Sequence, residues 1–131
     1  MQRTFLTRSS RALAPLAFAA LTPAGTALTG QRANSPVFAD FDADGVQDMA
    51  LTTDGAGNQD LIEVYRGAGN GTFAPAGTVF LPNGSSPAGI VAADVDADGD
   101  MDLVAVLSDS AQVMVARNAG GFAFTTTAGV G

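Results

Sequence analysis

The sequence predicts an all-β fold: two four-stranded antiparallel blades of a β-propeller, forming an incomplete ring. Three observations predict it. A nonamer of the form D-x-D-x-D-G-x-x-D occurs twice, at Asp40–Asp48 and Asp94–Asp102, 54 positions apart. Each copy is followed by short runs rich in β-branched and apolar residues, punctuated by Gly, Asn, Asp and Ser. Each unit then holds four such runs in about fifty residues, the period of a propeller blade.

The elements follow in chain order. Residues 1–27 have the pattern of a secretory signal peptide. Arg3, Arg8 and Arg11 precede the apolar stretch Leu13–Leu21, and Gly25-Thr26-Ala27 offers a cleavage site. The apolar stretch is too short to span a bilayer as a mature helix. Residues 28–34 read as a linker. The first repeat is assigned to 35–84 and the second to 85–131. Pro36 and Pro87 stand just before the first strand of each repeat, where a missing N–H costs little.

In the first repeat the nonamer leads into Met49–Thr52, a polar turn at Asp54–Gln59, the alternating run Leu61–Tyr65, a Gly-rich turn from Arg66, and a last run from Phe73 to Leu81. In the second repeat the matching pieces are Leu103–Leu107, Ser108–Ser110, Ala111–Val115, the turn from Arg117, and Phe122–Thr127. Insertions between the copies fall in turns, as expected of structural repeats.

Nine of the thirteen acidic residues lie in the two nonamers. Like charges packed so densely repel unless a cation neutralises them. Alternate carboxylates in an extended loop can converge on one point, and the glycines Gly45 and Gly99 let the chain turn sharply. A hard divalent cation that takes six to eight oxygens is the expected occupant, and Ca²⁺ is the usual one. An EF-hand shares the first six positions but needs a bidentate acid at position 12 and flanking helices. Position 12 is Leu51 in one copy and Ala105 in the other, both in strand-like segments. The same test disfavours a dockerin. Mg²⁺ prefers a tight octahedron with several waters, and the chain has no His or Cys for Zn²⁺.

The order of apolar strand, D-x-D-x-D-G-x-x-D, apolar strand, V-x-V strand and G-x-G-x-F turn resembles the FG-GAP/VCBS repeat. That is the calcium-binding blade of integrin α-chain propellers and of many secreted bacterial proteins. The resemblance runs from Ser35 to about Thr127. Gly69-Asn70-Gly71-Thr72-Phe73 matches the family's turn well, while Gly120-Gly121-Phe122 departs from it and implies a tighter turn. The resemblance implies two Ca²⁺ sites. Asp40, Asp42 and Asp44 would give side-chain oxygens, Val46 a backbone carbonyl, and Asp48 the closing carboxylate. Asp94, Asp96, Asp98, Asp100 and Asp102 would play the same parts in the second repeat, with the Asp100 side chain turned to solvent.

Cleavage after Ala27 leaves Arg32, Arg66 and Arg117 against thirteen acids, a formal charge of −10. This argues against nucleic acid and anionic lipid as partners. With no cysteine there is no disulfide framework, so calcium would do the stapling. No catalytic constellation stands out. The acids outside the nonamers, Asp54, Asp60, Glu63 and Asp109, read as solvated turn or strand-edge charges.

The expected function is that of a secreted, non-enzymatic, calcium-binding propeller module for extracellular binding or adhesion. Its expected partners are an extracellular protein or polysaccharide, or further repeats of the same chain. The alternatives are a non-catalytic part of a secreted propeller-type polysaccharide lyase or hydrolase, or a structural spacer of a surface protein. Propellers of this kind normally close with six to eight blades, so two repeats alone are expected to leave apolar faces in need of neighbours.

Overall fold

The computed structural model describes residues 32–54 and 59–127. The expected signal peptide at 1–27 and the tip of the Asp54–Gln59 turn lie outside the described residues. Eight strands follow in order: β1 (Arg32–Ala39), β2 (Asp48–Asp54), β3 (Asp60–Gly67), β4 (Phe73–Phe80), β5 (Pro87–Ala93), β6 (Asp102–Leu107), β7 (Gln112–Asn118) and β8 (Phe124–Thr126). They make two four-stranded meanders, β1-β2-β3-β4 and β5-β6-β7-β8, with every neighbouring pair antiparallel. The predicted pair of blades is therefore what the chain forms. No helix occurs among the described residues, so none there is long and apolar enough to cross a membrane.

Two boundaries differ from the sequence expectation. β1 begins at Arg32, inside the stretch read as a linker, because Arg32, Ala33 and Asn34 pair with Asp54, Thr53 and Thr52. Pro36 therefore lies within β1 rather than before it. Asn34 pairs with Thr52 and Val37 with Ala50, so Ser35 and Pro36 together face one residue in a bulge. A bulge residue needs no ladder bond, so the missing N–H does no harm there. Ser35 has φ 46 and its counterpart Ser86 has φ 48, which places the same kink ahead of Pro36 and Pro87.

The two sheets pack face to face around one core. Phe41, Ala50, Ile62 and Val64 from the first blade meet Leu103, Ala105, Leu107 and Met114 from the second. Phe41 stands edge-on to Phe124, with ring centroids 5.8 Å apart. Alanines at the sheet centres let the blades approach closely, and each buried large side chain contributes about 1.5–3 kcal/mol. The opposite face of the first sheet holds a second cluster of Met49, Leu51, Tyr65 and Phe73. β3 is thus buried on both faces, whereas its alternating sequence suggested one. In β7 the buried apolar residues are Met114 and Ala116, while Val113 is exposed. The reason lies in the register. Val106 and Val113 of the second sheet pair as Thr52 and Ile62 do in the first. The second blade meets the first through its other face, so this valine face points away from the core.

Asp60 corrects another expectation. It is fully buried, not solvated. Its Oδ2 accepts hydrogen bonds from Ser85 N (2.6 Å), Ser85 Oγ (3.0 Å) and Ser86 N (3.1 Å), so it pins the connection between the blades. Asp109 accepts from Ser86 Oγ at 2.6 Å and Glu63 from the Tyr65 hydroxyl at 2.9 Å. Burial of the ring, and after it the bond to Glu63, push the Tyr65 phenol up to about 12.

Candidate metal centres

Each nonamer forms the loop between the first two strands of its blade, as its position in the repeat requires. The turn is made by two left-handed residues in each copy: Ala43 (φ 60) and Gly45 (φ 85), then Ala97 (φ 61) and Gly99 (φ 97). An alanine in this region costs roughly 1–2 kcal/mol. Its presence at the same place in both loops shows that the loop geometry, not local preference, sets it. Carboxylates cap the turn from within. Asp40 accepts from Asp44 N (3.1 Å) and Gly45 N (2.8 Å), and Asp94 accepts from Asp98 N (3.2 Å) and Gly99 N (3.0 Å).

The ninth residue closes each loop from a buried position at the start of β2 or β6. Asp48 Oδ2 accepts from Phe41 N at 2.8 Å and its Oδ1 from Gly67 N at 2.8 Å. Asp102 Oδ2 accepts from Val95 N at 2.9 Å and its Oδ1 from Asn118 N at 2.8 Å. Burial raises the Asp48 carboxyl above the ordinary carboxylate range, and the N–H groups of Gly67 and Phe41 hold it down in part.

The fold brings three of the predicted carboxylates in each loop to one point. Asp40, Asp42 and Asp48 have oxygens within 4.8 Å of one another, as do Asp94, Asp96 and Asp102. Asp44 and Asp98, the fifth residues, are not in these triads. Their Oδ1 atoms accept from Val46 N (2.8 Å) and Asp100 N (2.9 Å) and so tighten the turn. Val46 is half-buried, with its side chain against Gly67 and Gly69. Asp100 is half-buried rather than turned wholly to solvent, and its carboxylate lies beside Gly120. The donor set is all oxygen and all carboxylate, which suits a hard cation such as Ca²⁺.

The loops differ in how their charge is met. Arg66 Nη2 lies 2.8 Å from Asp42 Oδ2 and 3.0 Å from Asp44 Oδ2. The hydrogen bond from Arg66 holds the Asp44 carboxyl below its usual range, and the Arg66 guanidinium is raised in turn. In the second loop Arg117 Nε stands 3.9 Å from Asp96 Oδ2, a looser pairing. The Asp96 carboxyl is raised, first by loss of water around it and then by the charges of Asp98 and Asp102.

Sequence reasoning passed over the residues that support the closing carboxylates. Gly67 and Asn118 occupy the same place, directly after Arg66 and Arg117 at the ends of β3 and β7, and each gives its N–H to the ninth aspartate. The available signal was the repeated arginine. The change from Gly to Asn hid the equivalence.

A meander of four strands with a carboxylate-lined loop between its first two, repeated once and packed face to face, defines a pair of propeller-type blades. The profile of the FG-GAP-like repeat matches residues 40–105, half of the chain and the whole span between the two loops. The chain belongs to the FG-GAP-like repeat family. Comparison with curated proteins and with solved structures gives no match.

Proposed function

We propose that the chain is a secreted calcium-binding module that acts by binding outside the cell, not by catalysis. The observation that carries this reading is the convergence of three carboxylates in each loop within 4.8 Å. Asp40, Asp42 and Asp48 would hold one ion and Asp94, Asp96 and Asp102 the other. Asp44 and Asp98, with the carbonyls of Val46 and Asp100, would complete the two sets. The bound ion would remove the repulsion between the carboxylates and fix each loop against the ends of its own strands. The blades would then present their loops as a rigid surface to an extracellular protein or polysaccharide, or pack against further repeats. Membership of the repeat family and the arginine-led N-terminal segment support an extracellular setting.

Extracellular calcium modules bind in the range of about 10⁻⁴–10⁻³ M. Calorimetric titration of the chain should therefore show two weak sites. Asp42→Ala and Asp96→Ala should each remove one of them. A folded chain that takes up no calcium would sink the proposal.

A further inference from the structure

We propose that Asn118 couples the two acidic loops, so that a cation in one raises the affinity of the other. The proposal rests on the calcium reading above, and its observation is a continuous run of buried hydrogen bonds between the two closing carboxylates. Asp48 Oδ2 accepts from Phe41 N at 2.8 Å. The carbonyl of the same Phe41 accepts from Asn118 Nδ2 at 2.7 Å. The backbone N–H of Asn118 is given to Asp102 Oδ1 at 2.8 Å. Two residues, Phe41 and Asn118, thus join the ninth residue of one loop to the ninth residue of the next, across the boundary between blades.

The side chain of Asn118 is fully committed. It is 1% exposed. Its amide also donates to Met101 O at 3.2 Å, and its Oδ1 accepts from Gly120 N at 3.1 Å. One residue therefore holds the second loop at Met101 and Asp102, its own turn at Gly120, and the first loop at Phe41. The first repeat cannot do this from the same position. Gly67 has no side chain, and a methyl group there would collide with the carbonyl oxygen of Gln47. The latch belongs to the second repeat and reaches back to the first.

Coupling needs two states that both sites bias. In each loop the clustered carboxylates repel one another when no cation is bound, which favours a loosened loop. The Phe41 carbonyl meets the Asn118 amide only when the first loop is closed on Asp48. Closing the first loop therefore seats Asn118, and a seated Asn118 presents its N–H to Asp102 in the second. Ordering paid by one loop need not be repeated by the other, which is positive cooperativity through a shared contact.

The test is a double-mutant cycle on the full chain, read by calorimetric calcium titration. Asp42→Ala disables the first loop. It should weaken calcium binding at the second by about tenfold, within the usual range of coupling between sites. In an Asn118→Ala background the same change should leave the second loop's affinity unaltered. An Asp42→Ala effect that is absent in the natural background, or of equal size with and without Asn118, overturns the proposal. Asn118→Gly, which copies the first repeat's residue, serves as the second variant if alanine fails to fold. Amide hydrogen exchange in chelator separates this proposal from the calcium reading. Asn118→Ala should speed exchange at Phe41, in the other blade, by about tenfold or more, whether or not calcium binds. If calcium binds neither loop, the calcium reading fails and the cation effect with it, and exchange at Phe41 then decides whether Asn118 ties the first loop to the second. Unchanged exchange there overturns it.

Discussion

Replacing Gly67 by alanine should unlock the first loop. Gly67 ends β3, and its N–H is given to Asp48 Oδ1 at 2.8 Å. It lies so close to the loop that an added methyl would collide with the carbonyl oxygen of Gln47 and sit 3.0 Å from its carbonyl carbon. Both are backbone atoms, so no side-chain rotation can relieve the contact. Either β3 or the loop must move, and the Asp48 bond stretches in both cases. Overpacking of this kind costs about 1–3 kcal/mol. A buried N–H and carboxylate pulled apart cost about 1–3 kcal/mol more. The stiffer unfolded chain returns about 0.4–1 kcal/mol. The steric and hydrogen-bond effects win, and a net loss of about 1–5.6 kcal/mol follows, about 3 at the middle of the range. At about 4–8 °C per kcal/mol for a domain of this size, Tm should fall by about 10 °C or more. Gly89→Ala is the control, because no atom lies within 4 Å of a methyl placed there. With no clash to offset it, the stiffer unfolded chain should leave this variant as stable as the natural chain or more stable by up to about 1 kcal/mol. Urea denaturation of both variants in chelator is the assay. A Gly67→Ala chain as stable as the Gly89→Ala chain would refute the packing argument.

Three further outcomes follow from the same structure. Arg66→Gln should strengthen calcium binding at the first loop by about two- to fivefold, since a weak, solvent-screened ion pair no longer competes for Asp42 and Asp44; site-resolved titration checks it. Phe41→Ala should cost about 3–5 kcal/mol because the ring fills the core between blades, whereas Val95→Ala, at the same loop position but 45% exposed, should cost under about 1 kcal/mol in the same denaturation assay. The pH dependence should change sign with calcium. Asp48 and Asp96 are raised above the ordinary 3.8, so their contribution to metal-free stability is present below that value and is lost as pH rises through their folded values. Asp44 is lowered, so its contribution is present above 3.8 and is lost on acidification below it. Calcium needs ionised carboxylates, so the rise in Tm that it causes should grow from about pH 4 to pH 6; scanning calorimetry with and without chelator measures it.

Much of the fold could be read from the chain because the repeat carries it. The Asp nonamers, the Gly-rich turn after Arg66 and the apolar runs each mark an element edge, and β2, β3, β4, β6 and β7 fall on them. The face by which one blade meets the next could not be read. Valines at 104, 106, 113 and 115 look like core by composition, yet Val106 and Val113 are exposed because Leu103, Ala105, Leu107 and Met114 take the interface. Period-2 alternation defines two faces and does not say which one has a neighbour. Asp60 was equally hidden: only the path of the connection after Leu81 brings the Ser85 and Ser86 amides onto it. In the site, the nonamer and its resemblance to the repeat pointed to the triad residues together with Asp44 and Asp98, which stand outside the triads. The positions of Asp44 and Asp98 depend on bonds to Val46 N and Asp100 N within the turn, and Asp44 depends further on Arg66 from β3.

The central claim is that both acidic loops hold calcium, and the amides of Gly45 and Gly99 report on it most directly. Gly45 N–H is bonded to Asp40 Oδ2 at 2.8 Å and Gly99 N–H to Asp94 Oδ2 at 3.0 Å, so each sits against a carboxylate of its own triad. In a titration followed by two-dimensional NMR, both signals should move and saturate over about 10⁻⁴–10⁻² M calcium, each following its own loop. Asp42→Ala should abolish the movement at Gly45, and Asp96→Ala that at Gly99. Both signals holding their chelator positions throughout, in a chain that remains folded, would contradict the account.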